Sequence, residues 1–311
     1  MFNGTVTCLM KGNPVSEIQS ENMNEQKLYA DDWMGVRWTD WQSLDPSDNE
    51  TSSISTDPGL YRVRHADRDG FEYIGQTGRS TRGRVGALAR NIYSEAMPFR
   101  DPHTAAPCLW AVRDHYGPAL EVSTVTPSFA SDDSQRKGFE EALIATARRE
   151  MGASPTANFG RIIPGYSQSS YRSGGYIGGV LTDGETESNA EPGRGPIPWE
   201  NLDDVIAPDW MGLAWEGPYR LQDRLDPELP EKGVYRIWYE GDAPPLAYIG
   251  ETSAFTNRLR KHEKTFGGEA LFSVADPDGM DAKHKRTEVE TDLIGAHYVA
   301  IQESPTTQFG Q

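Results

Sequence analysis

Two stretches of the chain, far apart in the sequence, alternate apolar and polar residues with a period of two. The apolar positions are Leu60, Tyr61 and Val63 in the first stretch and Val234, Tyr235 and Ile237 in the second. This alternation is typical of a strand that buries one face. A turn containing Asp and Gly follows each stretch, and Tyr-Ile-Gly then occurs at 73–75 and 248–250. We therefore predict a β-hairpin in each half of the chain.

Other segments carry apolar residues at helical spacing. Residues 139–149 and 289–298 place them three, four and seven positions apart, which predicts a helix in each half. In the first half, 109–112 indicates a further helix and 120–123 a third strand. An arginine-bearing helix is expected after each Tyr-Ile-Gly segment. The pattern predicts a mixed α/β fold of the α+β class, in which each half is a small three-stranded antiparallel sheet flanked by helices.

The same sequence blocks occur twice, in the same order. Asp-Trp-Met-Gly at 32–35, with Trp38 and Leu44 behind it, recurs at 209–212 with Trp215 and Leu221. The Gly-aliphatic-Tyr-Arg and Tyr-Ile-Gly blocks also recur. Because several blocks keep their order and approximate spacing, we infer a duplication. The Trp-Met-Gly blocks are predicted to be packing elements, since tryptophan supplies large buried area.

The duplication sets the expected domain boundaries. We predict a polar tail at 1–30, a first domain at 31–163, a linker rich in Gly, Ser and Pro at 164–204, and a second domain at 205–311. The linker contains Gly-Tyr-Ile-Gly at 175–178 without a preceding strand or a following arginine helix. We therefore expect a loop there.

Composition narrows the function classes. Only two cysteines, Cys8 and Cys108, are present and they lie far apart, which indicates neither a disulfide framework nor a cysteine zinc site. No apolar stretch approaches the roughly eighteen residues of a membrane span, so we expect no membrane partner and a cytoplasmic location. The formal charge of −17 opposes nucleic-acid binding, because phosphate contacts depend on Lys and Arg. Local clusters of arginine and lysine still allow it.

One ordered set of residues occurs in both halves: Gly-aliphatic-Tyr, then Tyr-Ile-Gly, an arginine on the next helix, a helical glutamate and a late asparagine or glutamine. The set resembles the active site of the GIY-YIG nucleases, and the resemblance covers most of both halves. It implies that Tyr61 and Tyr235 activate water and that Tyr73 and Tyr248 support the network. A tyrosine with an ordinary pKa of about 10 needs a nearby cation for such a role.

The resemblance also implies an arginine that stabilises the transition state and a glutamate that holds one divalent ion, magnesium or manganese. In the second half, Arg258 and His262 lie one helical turn apart, as in the family. In the first half Arg84 is the corresponding arginine and Arg82 the alternative. Aligning Leu-Ile at 143–144 with Leu-Ile at 293–294 assigns the remaining positions, namely the metal ligands Glu140 and Glu290, the asparagine Asn158, and Gln308 opposite it.

Several exposed cations are expected to contact DNA. They are Arg79 and Arg82 in the first half and Arg260 and Lys261 in the second. Arg62 and Arg236, beside the first tyrosines, either contact phosphate or are simply exposed strand residues. The segment 101–103 (Asp-Pro-His), present only in the first half, is either a DNA-contacting insertion or the turn and N-cap that open the next helix.

These observations favour a metal-dependent DNA endonuclease whose tandem domains act as an intramolecular pseudodimer, in restriction or in defence against foreign or modified DNA. A monomer with internal pseudo-symmetry fits this organisation. Two alternatives stay open. One is an active nuclease domain joined to a DNA-binding domain, in repair or recombination. The other is a non-catalytic DNA-recognition protein, which the acidic charge favours.

Overall fold

The computed structural model of the chain describes residues 27–185, 189–190, 192–241 and 245–310. Its elements alternate between strands and helices, which confirms the predicted α+β class. The first half contains β1 (Gln42–Ser43), β2 (Gly59–His65), β3 (Tyr73–Thr77), α1 (Thr81–Ile92), α2 (Ala106–Tyr116), β4 (Leu120–Val125) and α3 (Asp133–Met151). A short hairpin of β5 (Tyr166–Ser167) and β6 (Gly179–Val180) follows. The second half contains β7 (Glu216–Arg220), β8 (Gly233–Trp238), β9 (Tyr248–Thr252), α4 (Phe255–Phe266), β10 (Leu271–Ala275) and α5 (Lys283–Ile301).

Each half has one antiparallel sheet, and the two sheets have the same strand order, β1-β4-β2-β3 and β7-β10-β8-β9. The prediction of three strands was wrong by one, because β1 and β7 add an edge strand to each sheet. These strands carry no alternating apolar signal. β1 has only two residues, and the first three residues of β7 are exposed.

The central strands are buried on both faces. In β2, Tyr61 and Val63 pack against α1 and α2, while Leu60 packs with α3 on the opposite face. The same division holds in β8, where Tyr235 packs with α4 and Val234 packs with α5. Burial of an aliphatic or aromatic side chain contributes roughly 1.5–3 kcal/mol. The first tyrosine of each half therefore lies at the centre of a core and is held rigidly.

The predicted contact of Arg62 and Arg236 with DNA is not supported, because both are buried (0% and 1% exposed). Each guanidinium lies over a tryptophan, with Arg62 Cζ 4.4 Å from the ring of Trp38 and Arg236 Cζ 4.3 Å from that of Trp215. Each also donates to carbonyls of the segment before its sheet, 28–30 and 205–207. Burial lowers the pKa of both to about 9. These arginines fasten the upstream segment to the sheet.

The Trp-Met-Gly blocks form matching turns within this packing, as expected. The indoles of Trp38 and Trp215 donate to the carbonyls of Trp33 and Trp210, at 2.9 and 3.0 Å. Leu28 is part of the same core, although the predicted tail extended to residue 30. The rest of that tail, residues 1–26, lies outside the described residues.

The two halves meet along α3 and α5, which have more contacts with each other than any other pair of elements. Gly138 of α3 lies against Tyr298 near the end of α5, whereas Arg148 of α3 bonds to Asp292 nearer its middle. The contact positions run in opposite directions, so the helices pack antiparallel. Close approach is possible because Gly295 faces the backbone of α3. The pairing relates the two halves by an approximate two-fold axis.

Buried charges fix this interface at one side. Arg148 Nε donates to Asp292 Oδ1 at 2.7 Å, and neither side chain is exposed. Residues 192–197, within the predicted linker, pack on the same cluster: the amides of Arg194 and Ile197 donate to Glu288 and Asp292, at 2.6 and 3.2 Å. This part of the predicted linker is thus tied to the helix interface.

The Gly-Tyr-Ile-Gly segment at 175–178 lies in a loop, as expected, with Tyr176 and Ile177 about half exposed. Across the described ranges no helix is long and apolar enough to cross a membrane.

Candidate active site

The second-half site is built around the hydroxyl of Tyr235, which β8 places in the core under α4. Arg258 Nε donates to this hydroxyl at 2.8 Å, and His262 Nε2 lies 2.7 Å from it. The arginine can only donate, so the phenol oxygen accepts this hydrogen bond, and the His262 tautomer sets the direction of the second one. Burial, with the charge of Arg258, lowers the pKa of His262 to about 4, so the ring is neutral at pH 7. The phenol has two hydrogen-bonding partners in fixed positions.

Tyr248 joins this network from β9. Arg258 Nη2 donates to its hydroxyl at 3.3 Å, and its ring stacks on that of Tyr235 with centroids 6.0 Å apart. Burial raises the pKa of both tyrosines, more than Arg258 lowers it. Both phenols are therefore protonated near neutral pH, and Tyr235 can take a proton only by passing its own onward.

The glycine of Tyr-Ile-Gly has a steric role in both halves. Antiparallel pairing places Tyr61 opposite Gly75 and Tyr235 opposite Gly250. A Cβ on Gly75 would lie 2.8 Å from the hydroxyl of Tyr61. Any larger residue would displace the phenol, which gives a physical reason for a glycine opposite the tyrosine.

The first-half site has the same arrangement of two tyrosines and a helical arginine, but different hydrogen-bond contacts. Tyr61 and Tyr73 lie with ring centroids 5.9 Å apart, and Arg84 extends toward them from α1. Burial raises the pKa of Tyr61, and the charge of Arg84 opposes that shift. Within the described parts of the chain, no group meets the Tyr61 hydroxyl with hydrogen-bonding geometry. The alternative arginine, Arg82, instead donates from Nε to the carbonyl of Ile54, at 2.7 Å.

Each glutamate lies on the long helix of its half, partly exposed, with a carboxyl group near the Tyr-Ile-Gly strand. Burial and the neighbouring carboxylate of Glu141 raise the pKa of Glu140 to about 8. Glu290 is raised to about 8 by the same two causes, and its Oε1 accepts from the amide of Glu251 at 3.3 Å. Glu141, between them, has its pKa raised to about 7 by burial.

Asn158 and Gln308 perform the same structural task. Asn158 Oδ1 accepts from the amide of Ile74 at 3.0 Å, and its Nδ2 donates to the carbonyl of Ile74 at 3.1 Å. Gln308 Oε1 accepts from the amide of Ile249 at 2.9 Å. Each side chain fixes the middle residue of its Tyr-Ile-Gly strand. The difference in residue type between the halves therefore leaves the contact to the strand in place.

Four predicted DNA contacts remain at the surface. Arg79, Arg82, Arg260 and Lys261 are exposed. Arg79 and Arg84 line one cavity, together with the first turns of α1 and α3. Lys137 also faces it, although its amine is paired with Asp133. This cavity carries a net positive lining beside the first-half site, in spite of the acidic composition of the chain.

Three contributors to the site were missed from the sequence. Arg136 and Arg286 occupy the same position on α3 and α5, and each Nε donates to the residue after Tyr-Ile-Gly, Gln76 at 2.7 Å and Glu251 at 2.8 Å. They hold the helix that carries the glutamate against the strand that carries the tyrosine. Their equivalence in the repeat was the available signal.

His103 is the other missed residue. It is buried and lines the cavity with Arg84, and burial, followed by the charge of Arg84, lowers its pKa to about 4. The N-cap of α2 is Ala105, which provides no side-chain cap. Asp101 instead accepts from the amide of Arg172 at 2.5 Å. The N-cap part of the interpretation of 101–103 was therefore wrong, whereas the turn is present, since the amide of Ala106 donates to the carbonyl of His103 at 3.1 Å.

The glutamates fit a single-carboxylate metal site. Among the described residues no cation lies within ion-pair distance of Glu140 or Glu290, so neither carboxyl group has a direct counter-ion there. Magnesium takes one or two carboxylates and completes its shell with water and phosphate oxygens. The described ranges contain no group of three or more His, Cys, Asp or Glu side chains that could enclose a metal.

Comparison of the chain with models of known protein families, with curated proteins and with solved structures gives no match.

Proposed function

We propose that the chain is a metal-dependent DNA endonuclease of the GIY-YIG type, which hydrolyses phosphodiester bonds. The observation that carries the proposal is the hydrogen bonding of Tyr235, whose buried hydroxyl accepts a hydrogen bond from Arg258 and forms a second one with Nε2 of His262. A packing tyrosine needs no such pair of partners. In each half a helical glutamate without an ion-pair partner among the described residues faces the same strand, which supports the same conclusion.

The residues of the second half supply most of what hydrolysis requires. The phenol oxygen keeps one lone pair that can accept a hydrogen bond from an attacking water. With the His262 ring proton on Nδ1, its Nε2 accepts the proton of the phenol. Arg258 places positive charge beside the tyrosines, where it can stabilise charge that develops on phosphate. Glu290, and Glu140 in the first half, would hold one magnesium or manganese ion, which when bound stabilises the phosphate and the leaving oxygen.

The antiparallel contact of α3 and α5 supports the pseudodimer proposed above. An approximate two-fold axis between two sites suits cleavage of both strands of a duplex. Restriction or defence against foreign DNA fits a double-strand cut. Repair or recombination fits the variant in which one half cuts and the other binds.

Plasmid cleavage tests the proposal. Purified wild-type protein is incubated with supercoiled plasmid and magnesium or manganese, at low and high salt. Forked and modified DNA are included because the substrate preference is open. We expect linear product from the wild type, nicked circles from Glu140→Ala and from Glu290→Ala, and no product from the double variant. Glu95→Ala, at an exposed position on the first half, is the matched control and should cut like the wild type.

If the wild type leaves all these DNAs intact, the nuclease proposal is refuted. Retention of DNA binding in that case would favour a recognition protein instead. If one single variant loses all cleavage and the other loses none, one half alone is catalytic.

A further inference from the structure

A cavity of about 890 Å³ lies between the two halves, and we call it the interhalf cavity. Its first-half wall includes three residues of the candidate site, Tyr73, Glu140 and Asn158. The second half contributes the opposite wall, from Lys283 and His284 at the start of α5 and Thr287 one turn later. The cavity that leads to the first-half glutamate is therefore incomplete without the second half.

Two cations of this cavity are free of carboxylates. Lys283, exposed on α5, and Arg100, which projects from the first half, have no acidic side chain within ion-pair distance among the described residues. Two neighbouring cations are instead paired with carboxylates. Arg286 is paired with Glu251 at 2.8 Å, and Lys285 with Asp281 at 3.2 Å.

Arg100 is held in place without being neutralised. Its guanidinium lies over the ring of Tyr171, 5.2 Å from the centroid, and its Nε is buried without a hydrogen-bond partner. Its backbone amide donates to the carbonyl of Ser170 at 3.1 Å, which anchors the segment. An ordered arginine with unused donors suits a phosphate group, which accepts two of its hydrogen bonds at once.

We propose that Lys283 and Arg100 bind backbone phosphates of the strand that is cut at Glu140. The second half thereby supplies a substrate contact to the first-half site. This inference rests on the proposed nuclease function. A cavity of this volume is within the range that holds drug-sized ligands, so it can admit a nucleotide-sized part of a strand. Lys283 is a substrate-binding residue in this assignment and takes no part in the proton transfers.

Binding of a short fluorescein-labelled DNA duplex, measured by anisotropy, tests the contact. The protein carries Glu140→Gln and Glu290→Gln so that the probe stays intact. Lys283→Ala is expected to weaken binding about tenfold and to reduce the slope of log Kd against log salt by about 1. Lys283→Arg should restore both. Lys232→Ala removes a lysine of the second half that does not line the cavity, and should bind like the parent.

Cleavage kinetics distinguish failure of the Lys283 phosphate contact from failure of the proposed nuclease function. In a Glu290→Ala background, Lys283→Ala should raise KM for nicking by the first-half site and leave kcat nearly unchanged. If Lys283→Ala binds and nicks like its parent while Glu140→Ala abolishes nicking, the inference is overturned and the nuclease function stands. If the wild type cuts nothing but Lys283→Ala still weakens binding, the phosphate contact stands and the nuclease function fails.

Discussion

Gly295 lies at the closest approach of α3 and α5, and its replacement by alanine tests the antiparallel contact. A Cβ at this position would lie 2.5 Å from Ala145 Cβ and 2.6 Å from the carbonyl oxygen of Glu141. Carbon atoms pack favourably at roughly 3.5–4.0 Å. A backbone oxygen cannot turn away as a flexible side chain can. The two helices must therefore separate by about 1 Å.

Two opposing contributions set the expected change in stability. Gly to Ala in a helix interior gains about 1 kcal/mol of helix propensity. Overpacking of a tight interface costs typically 1–3 kcal/mol, and the upper end applies because one obstacle is main chain. We expect Gly295→Ala to lose about 2 kcal/mol of unfolding free energy, and the melting temperature to fall by about 4–8 °C.

Urea unfolding followed by tryptophan fluorescence and far-UV circular dichroism measures this change. The matched control is Gly86→Ala in α1, where a Cβ would meet only the end of the Arg90 side chain, at 3.5 Å. The control should gain up to about 1 kcal/mol. A Gly295→Ala protein as stable as the wild type, or more stable, would refute the close packing of the two helices.

Three further substitutions test other buried contacts. Arg236→Lys replaces a guanidinium that bonds to three carbonyls, so it should lower the free energy of unfolding in urea by about 2–3 kcal/mol. The same change at exposed Arg260 should leave it almost unchanged. Equal effects of the two changes would argue against the tryptophan-lined site of Arg236. Asp292→Asn leaves Arg148 with Glu288, 3.6 Å away, as its remaining carboxylate, so it should cost about 1.5–3 kcal/mol. A loss below about 1 kcal/mol would show that the Arg148–Asp292 pair contributes little. His297, fully buried, accepts a backbone hydrogen bond at 3.0 Å through Nε2, and burial lowers its pKa from 6.5 to about 4. Because the folded pKa of His297 is depressed, its contribution to the free energy of unfolding is complete above pH 6.5 and is lost as pH falls toward 4, by at most roughly 3 kcal/mol. The free energy of unfolding should therefore fall less steeply with falling pH in His297→Gln. An identical pH dependence in both proteins would contradict the depressed pKa of His297.

Local sequence pattern was enough to predict the main secondary structure. The strands around Tyr61 and Tyr235 and both long helices lie where apolar periodicity placed them, because their buried faces impose that periodicity on the sequence. The edge strands β1 and β7 were missed. They contribute backbone hydrogen bonds with little buried side-chain area, and backbone pairing leaves no mark on residue type.

The main error in the residue predictions concerned charged side chains that are buried in the fold. Arginine is a surface residue in most contexts, so the sequence favoured solvent or phosphate for Arg62 and Arg236. Both instead stack on tryptophans that lie upstream in the chain. The Trp-Met-Gly blocks carried the information, but only the fold shows that tryptophan and arginine meet. The interhalf cavity could not be predicted for the same reason, since its walls come from distant parts of the chain.

The two candidate sites differ in the partner of the tyrosine that we propose to activate water. The Tyr235 hydroxyl has a hydrogen-bonding partner in His262, while Leu88 occupies the corresponding position near Tyr61. If the tyrosine passes its proton onward, the second-half site should cut faster than the first. We therefore expect Glu140→Ala, which leaves the second site, to nick plasmid faster than Glu290→Ala.

His262→Leu in the Glu140→Ala background isolates the contribution of the acceptor. Leucine keeps the site apolar and reproduces the residue of the first half. Proton transfer by a positioned group contributes typically 10²–10⁴ in rate, and the low pKa of His262 makes it a weak base. We expect a fall in kcat near the lower end, about 10²-fold, with KM little changed. An unchanged kcat would mean that the proton of Tyr235 leaves by another path, and that the two sites work alike in spite of their different surroundings.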